Sequence, residues 1–246
     1  LRDYQDGLLG TWLLLTEHHL PFRFVFEDQI EAGELDGYRV LLLPNMACVS
    51  PRIAQRLREF AQAGGRIITT GEAGAYGPWA ERQSENALRD VPGLLRLQDT
   101  PELEWVRRRD EAAARRLLAA LTAVPLPLTV EAPKTLVVNA TWGPDRKTLW
   151  LHLLNVSAFY PGGDTGFRGQ DEAPVYAGPA ASDAEIIKGG KMRRENVPAR
   201  NLVIRLRDWQ PKRARLGVTG QSLSTKIDGS IRVPEVGTHE VVVVEF

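Results

Sequence analysis

The chain has 246 residues, 43% of them hydrophobic and 25% charged, an ordinary globular composition with room for one large or two ordinary domains. Lys plus Arg equals Asp plus Glu at 31 each, so no global field marks nucleic acid or an anionic membrane as partner. A single cysteine excludes an internal disulfide framework and a cysteine-based metal cluster, and the longest apolar runs fall short of the ~20 residues that cross a bilayer.

In chain order, Leu8, Leu9, Trp12, Leu13 and Leu15 recur at spacings that predict a buried helix over 7–19, stopped by Pro21. "FRFVF" (22–26) and "YRVLLLP" (38–44) predict strands, the second with the continuous apolar character of a parallel strand covered on both faces. Ser50 and Pro51 fit the N-cap and N1 positions of a helix that carries Ile53, Leu57 and Phe60 on one face. Gly64 and Gly65 end it, and "RIITT" (66–70) is the next strand. This order, α-β-β-α-β, predicts an open, mostly parallel α/β sheet. Such domains begin with a strand, whereas this chain opens at the helix on Leu1; the expectation is that an N-terminal strand lies outside it.

Residues 76–104 read as a polar loop, followed by a helical stretch over 110–121 whose arginines (107–109, 115 and 116) suit a solvated face. "VPLPLTVEAP" (124–133), with three prolines, reads as a linker. Beyond it, short strands separated by turns such as "GPDRK" and "KIDGS" predict an antiparallel β-sandwich. The expected organisation is an α/β domain over 1–123, a linker over 124–133, and a sandwich over 134–246 with a long Gly/Pro-rich insertion at 157–200. Loops of that length are functional or disordered.

The chemistry is sparse. Cys48 lies just ahead of a helix N-terminus, where backbone N–H groups favour a thiolate. It has no neighbouring glycine for a nucleophile elbow, and the Gly-rich turn "TTGEAGAYG" contains neither Cys nor Ser. His239 and Glu240 are adjacent in a strand, so they point to opposite faces. No His, Cys or carboxylate group has metal-ligand spacing, and neither cofactor nor metal is expected. Glu72 follows a predicted parallel strand, where α/β sheets place ligands, and Tyr76 and Trp79 share its loop, where they can stack on a sugar or a neighbouring domain. Trp142, Trp150 and Trp209 are the aromatic candidates for carbohydrate binding by the sandwich; whether Trp150 faces outward is left open by its flanking Leu149 and Leu151. "NAT" at 139 and "NVS" at 155 match the N-glycosylation acceptor pattern.

"LDGYRVLLLPNMACVSPRIAQRLREFAQAGGRIITTGEAGAYGPWAER" resembles the amidotransferase-like domain that follows the catalytic barrel in family 42 β-galactosidases, the β-galactosidase trimerisation domain, and in related uncharacterised glycoside hydrolases. Their run "dl.gYk.lvlPn...ls......l..fv..GG.lv.Tge" is similar, and the likeness covers residues 7–97. The later strands are similar, less specifically, to the terminal β-domain of the same proteins. The resemblance implies a flavodoxin-like domain that has lost its nucleophile, followed by a β-domain. It also implies a partner (β/α)8 barrel bearing the catalytic acids, and homo-oligomer assembly. The chain is thus expected to be non-catalytic and cytoplasmic, with Glu72, Tyr76 and Trp79 as candidates for an active-site rim. The competing readings are a glutamine amidotransferase or cysteine hydrolase using Cys48, and a carbohydrate-binding module.

Overall fold

The structure, a computed structural model, describes residues 2–157 and 197–246. The insertion read at 157–200 lies, from residue 158 to residue 196, outside the described residues. The chain divides into two compact units, one of residues 1–14 and 23–125, the other of 15–22 and 126–246.

In the first unit, α1 (Arg2–Glu17), whose residues 15–17 count with the second unit, is followed by α2 (Glu27–Ala32), β1 (Val40–Leu43), α3 (Pro51–Gln62), β2 (Arg66–Thr70), β3 (Leu95–Leu97), α4 (Pro101–Arg108) and α5 (Glu111–Thr122). The strands form one parallel sheet in the order β1-β2-β3, with Leu41 opposite Ile67 and Ile68 opposite Leu95. Strand β2 is central, and Ile67, Ile68, Thr69 and Thr70 are all buried, as a strand covered on both faces requires. Local chemistry sets the helix ends. Ser50 Oγ accepts the Ile53 N–H at 3.1 Å, with Pro51 at the first helical position of α3. Asp110 Oδ1 accepts the N–H groups of Ala112 and Ala113 at the start of α5, which holds its carboxyl below the usual aspartate range. One core gathers Ile30, Leu35, Leu41, Leu43, Ile53, Leu57 and Ile67.

Two expectations change here. Residues 22–26 join no sheet among the described residues: Val25 packs on the core, while Phe22, Phe24 and Phe26 are exposed. Alternation alone does not make a strand when no neighbour takes up the ladder hydrogen bonds. The polar loop expected over 76–104 contains β3 and the start of α4, which turns Leu103, Trp105 and Val106 inward despite its charged sequence.

The second unit has β4 (Leu128–Glu131), β5 (Leu136–Trp142), β6 (Thr148–Asn155), β7 (Ala199–Leu206), β8 (Arg213–Leu216), β9 (Ser222–Leu223), β10 (Ser230–Val236) and β11 (His239–Glu245). They build two antiparallel sheets, β10-β7-β4 and β5-β6-β11-β8-β9, whose inner faces share one core of Leu149, Leu151, Leu153, Leu202, Ile204, Ile231, Val233, Val242 and Val244. Strand β4 falls inside the stretch read as a linker. Its prolines, 125, 127 and 133, flank the strand instead of interrupting it, so Val130 pairs with Ile204. Pro234 sits on the edge strand β10, the one place where a missing N–H is tolerated. Asn155 is buried and donates its amide to the carbonyls of Val197 and Gly237, so its side chain is not displayed as an acceptor for glycosylation.

Candidate functional site

The C-terminal ends of the three parallel strands meet in one hydrogen-bonded cluster. After β1, Asn45 takes a left-handed backbone (φ 45°). Its N–H donates to Thr70 Oγ1 at 2.9 Å, and its Oδ1 accepts the N–H of Glu72 at 3.0 Å. Thr70 in turn donates to Glu102 Oε1 at 2.6 Å. Gly71, at φ 56°, has no room for a side chain: a Cβ would lie 2.5 Å from Asn45 Oδ1 and 2.8 Å from Thr100 Cγ2. Glu102 is fully buried, its Oε2 has no partner among the described residues, and burial pushes its carboxyl above the usual glutamate range. The Thr70 hydrogen bond pulls the other way and the charge of Asp99 adds to the rise.

From this base rises the loop carrying the sequence candidates. Backbone bonds fasten it to the β1–α3 connection: Gly74 N–H to Met46, Tyr76 N–H to Ala47, and Val49 N–H to Tyr76, at 2.9–3.0 Å. Its return limb is clamped by Arg96, which donates to Ala73 O (3.2 Å) and Asn86 Oδ1 (2.7 Å), while Asn86 donates to Ala73 O (2.8 Å). At the tip, Trp79 N–H donates to Glu81 Oε2, and the Trp79 side chain is 90% exposed.

Glu72 and Tyr76 are joined through a residue that sequence reasoning missed. Arg82 donates to Tyr76 Oη at 3.0 Å and reaches Glu72 Oε1 at 3.4 Å, with its guanidinium carbon 5.4 Å from the Tyr76 ring centroid. The Tyr76 bond and the Glu72 charge raise the already high Arg82 pKa. Glu72 is therefore a solvated, paired carboxylate. Trp79 stands apart from this trio as an unshielded aromatic on a braced loop. Arg82 has a weak signal in sequence, a basic residue within one turn of candidate aromatics; Asn45, Asn86 and Arg96 have none.

Cys48 is exposed with a free thiol, and its backbone forms an isolated parallel β-bridge with that of Tyr76. All four histidines lie in the second unit, so the unit that holds Cys48 contains no imidazole to serve as its base. His239 is exposed and Glu240 buried, on opposite sides of β11 as their adjacency requires. Among the described residues no group of three or more His, Cys, Asp or Glu side chains is placed to hold a metal ion. No described helix is long and apolar enough to cross a membrane.

Residues 12–97 match the family model described as the β-galactosidase trimerisation domain. Among solved structures, the chain is similar to α-L-fucosidase isoenzyme 2 from Paenibacillus thiaminolyticus, with a TM-score of 0.68, 15% identity, and coverage of 98% of this chain and 45% of that one. It is also similar to a β-galactosidase from Bacillus circulans sp. alkalophilus (TM-score 0.55, 12% identity, 98% of this chain and 37% of that one). A family 42 exo-carrageenase from Bacteroides ovatus follows (TM-score 0.54, 10% identity, 99% and 27%). At these identities the likeness is one of fold. The chain spans less than half the length of each of the three. No curated protein matches the sequence.

Proposed function

We propose that this chain is the non-catalytic part of a glycoside hydrolase. Its first unit is a flavodoxin-like, amidotransferase-like domain that assembles subunits and packs on a catalytic (β/α)8 barrel outside the chain. The observation that carries the reading is the match of residues 12–97 to a β-galactosidase trimerisation domain, on a scaffold whose lone cysteine has no histidine in its own unit. Two surface features support a packing role. Tyr4, Leu8 and Trp12 recur every fourth residue along α1 and are 61%, 41% and 40% exposed, an apolar line on a helix whose Gly10, Thr11, Leu13, Leu14 and Leu15 are buried. Trp79 presents its whole indole from a loop that is already ordered, so docking it costs little conformational entropy.

In this reading Glu72 and Tyr76, held by Arg82, and Trp79 border the active site of a neighbouring barrel as a rim and do no bond-making themselves. The test is an assay of the purified chain on a panel of nitrophenyl glycosides. No turnover above the blank is expected. Turnover that disappears in Glu72→Gln or another acid variant of this chain would sink the proposal.

A further inference from the structure

The five-stranded sheet of the second unit has an inner face committed to the core and an outer face on which Asn139, Thr141, Trp150, Ser222 and His239 are exposed. Strand register fixes what that outer face displays. Across β5, β6, β11, β8 and β9, one row reads Thr141, Trp150, Val243, Arg215 and Ser222; the next reads Asn139, His152 and Val241. Trp150 therefore points outward while Leu149 and Leu151 point in, and its side chain remains 37% exposed. Trp142, by contrast, pairs with Leu149 on the inner side and packs with Trp209 and Phe246 at centroid distances of 5.2 and 5.4 Å, as an end cap of the core.

Around Trp150 the face mixes polar and apolar groups: Thr141 stands opposite it in β5, and Val243, opposite it in β11, is only 8% exposed. Gly217, beside Val241, keeps it low, since any side chain there would meet Val241 at 3.1 Å. The His152 and His239 rings stack at 6.1 Å with an interplanar angle of 14°. Arg215 has no carboxylate partner among the described residues. Glu245, on this face, stands opposite Arg213 in the register. An outward indole and, two strands away, a guanidinium with no carboxylate partner among the described residues are complementary to a pyranose ring carrying an anionic substituent. The apolar face of the sugar covers the indole, and the guanidinium fork takes two anion oxygens. With strands about 4.8 Å apart, Trp150 and Arg215 are separated by roughly 10 Å at their backbones.

We propose that this outer face binds an acidic saccharide, a pyranoside bearing a carboxylate or sulfate, with Trp150 as stacking floor and Arg215 as anion anchor. The inference rests on the second unit alone and is independent of the assembly role of the first. Isothermal titration of the intact chain with digalacturonate, galactose 6-sulfate and lactose tests it, with the first two arms separating carboxylate from sulfate. At least one acidic probe should bind saturably in the millimolar range or tighter. Trp150→Ala and Arg215→Gln should each weaken that binding about tenfold or more, and lactose should bind at least about tenfold more weakly. Ile227→Ala, at a 95% exposed position with no part in the face, should leave it unchanged. Melting curves confirm that the variants are folded, and hydrogen exchange of β6 and β8 in the unaltered chain reads the same site without any substitution. Three results would overturn the proposal: no saturable binding of either acidic probe, binding indifferent to both substitutions, or equal affinity for lactose. Self-association lost in Trp150→Ala, without sugar binding, would assign the face to a second copy instead.

Discussion

Replacing Glu102 by glutamine probes the base of the candidate site without emptying it. The buried carboxyl accepts one hydrogen bond, from Thr70, and its folded-state pKa lies above that of the unfolded chain because burial disfavours the charge. The folded state therefore holds the proton more tightly than the unfolded one. This contribution is complete below the unfolded glutamate pKa near 4.5 and is lost as pH rises through the higher folded value, so stability declines on going from acid toward neutral pH. Glutamine keeps the volume and the Thr70 bond but cannot ionise, so the advantage of Glu102→Gln over the unaltered chain should grow with pH and then level off. Alanine also removes the acceptor, leaving the Thr70 hydroxyl to satisfy itself in a dry site at about 1–3 kcal/mol, in addition to the cavity. At this chain length each 1 kcal/mol moves a melting temperature by roughly 2–4 °C. Hydrogen exchange of the 66–72 segment from pH 4.5 to 8.5 reports this region separately from the second unit. Identical pH slopes for the unaltered and glutamine chains, or protection that rises with pH, would refute the reasoning.

Gly71→Ala should destabilise the first unit by about 1–3 kcal/mol, since the new Cβ meets Asn45 and Thr100 at a left-handed φ; thermal melts with Gly93→Ala, which meets nothing within 4 Å, provide the comparison. Arg96→Ala should release the return limb of the 73–86 loop and speed tryptic cleavage at Arg82 by about tenfold or more, read by mass spectrometry. Leu151→Ala, at a fully buried position of the sandwich core, should cost about 2–5 kcal/mol in urea unfolding of the second unit.

How much of this was legible in sequence depended on how local the cause was. The Ser50–Pro51 start of α3 and the apolar β1 and β2 are written within a few residues and appear where the pattern predicts them. What fails is set at a distance. "FRFVF" has strand composition, but a strand needs a neighbour, and none of the described strands pairs with it. "PELEWVRR" looks solvated because Glu102 is charged, and only Thr70 at the C-terminal end of the central strand β2 reveals what that buried acid meets. The six-residue α2, closed by Gly33 at φ 80°, is too short to show a period.

The site divides in the same way. Glu72, Tyr76 and Trp79 are visible because a loop after a parallel strand is a known place for ligands. Arg82, ten residues from Glu72, and the Arg96–Asn86 clamp become neighbours only when the loop folds back on itself. Trp150 shows the same limit: between two leucines its direction is undetermined until the register with β11 is known.

The central claim is that the first unit is built for assembly. Sedimentation equilibrium of the chain over a wide concentration range, beside Trp79→Ala, tests it most directly. Self-association that weakens by about 2 kcal/mol, roughly 30-fold in dissociation constant, when the indole is removed is the predicted result. A monomer at every concentration, or an oligomer indifferent to loss of Trp79 and of the Tyr4–Leu8–Trp12 line, would contradict it.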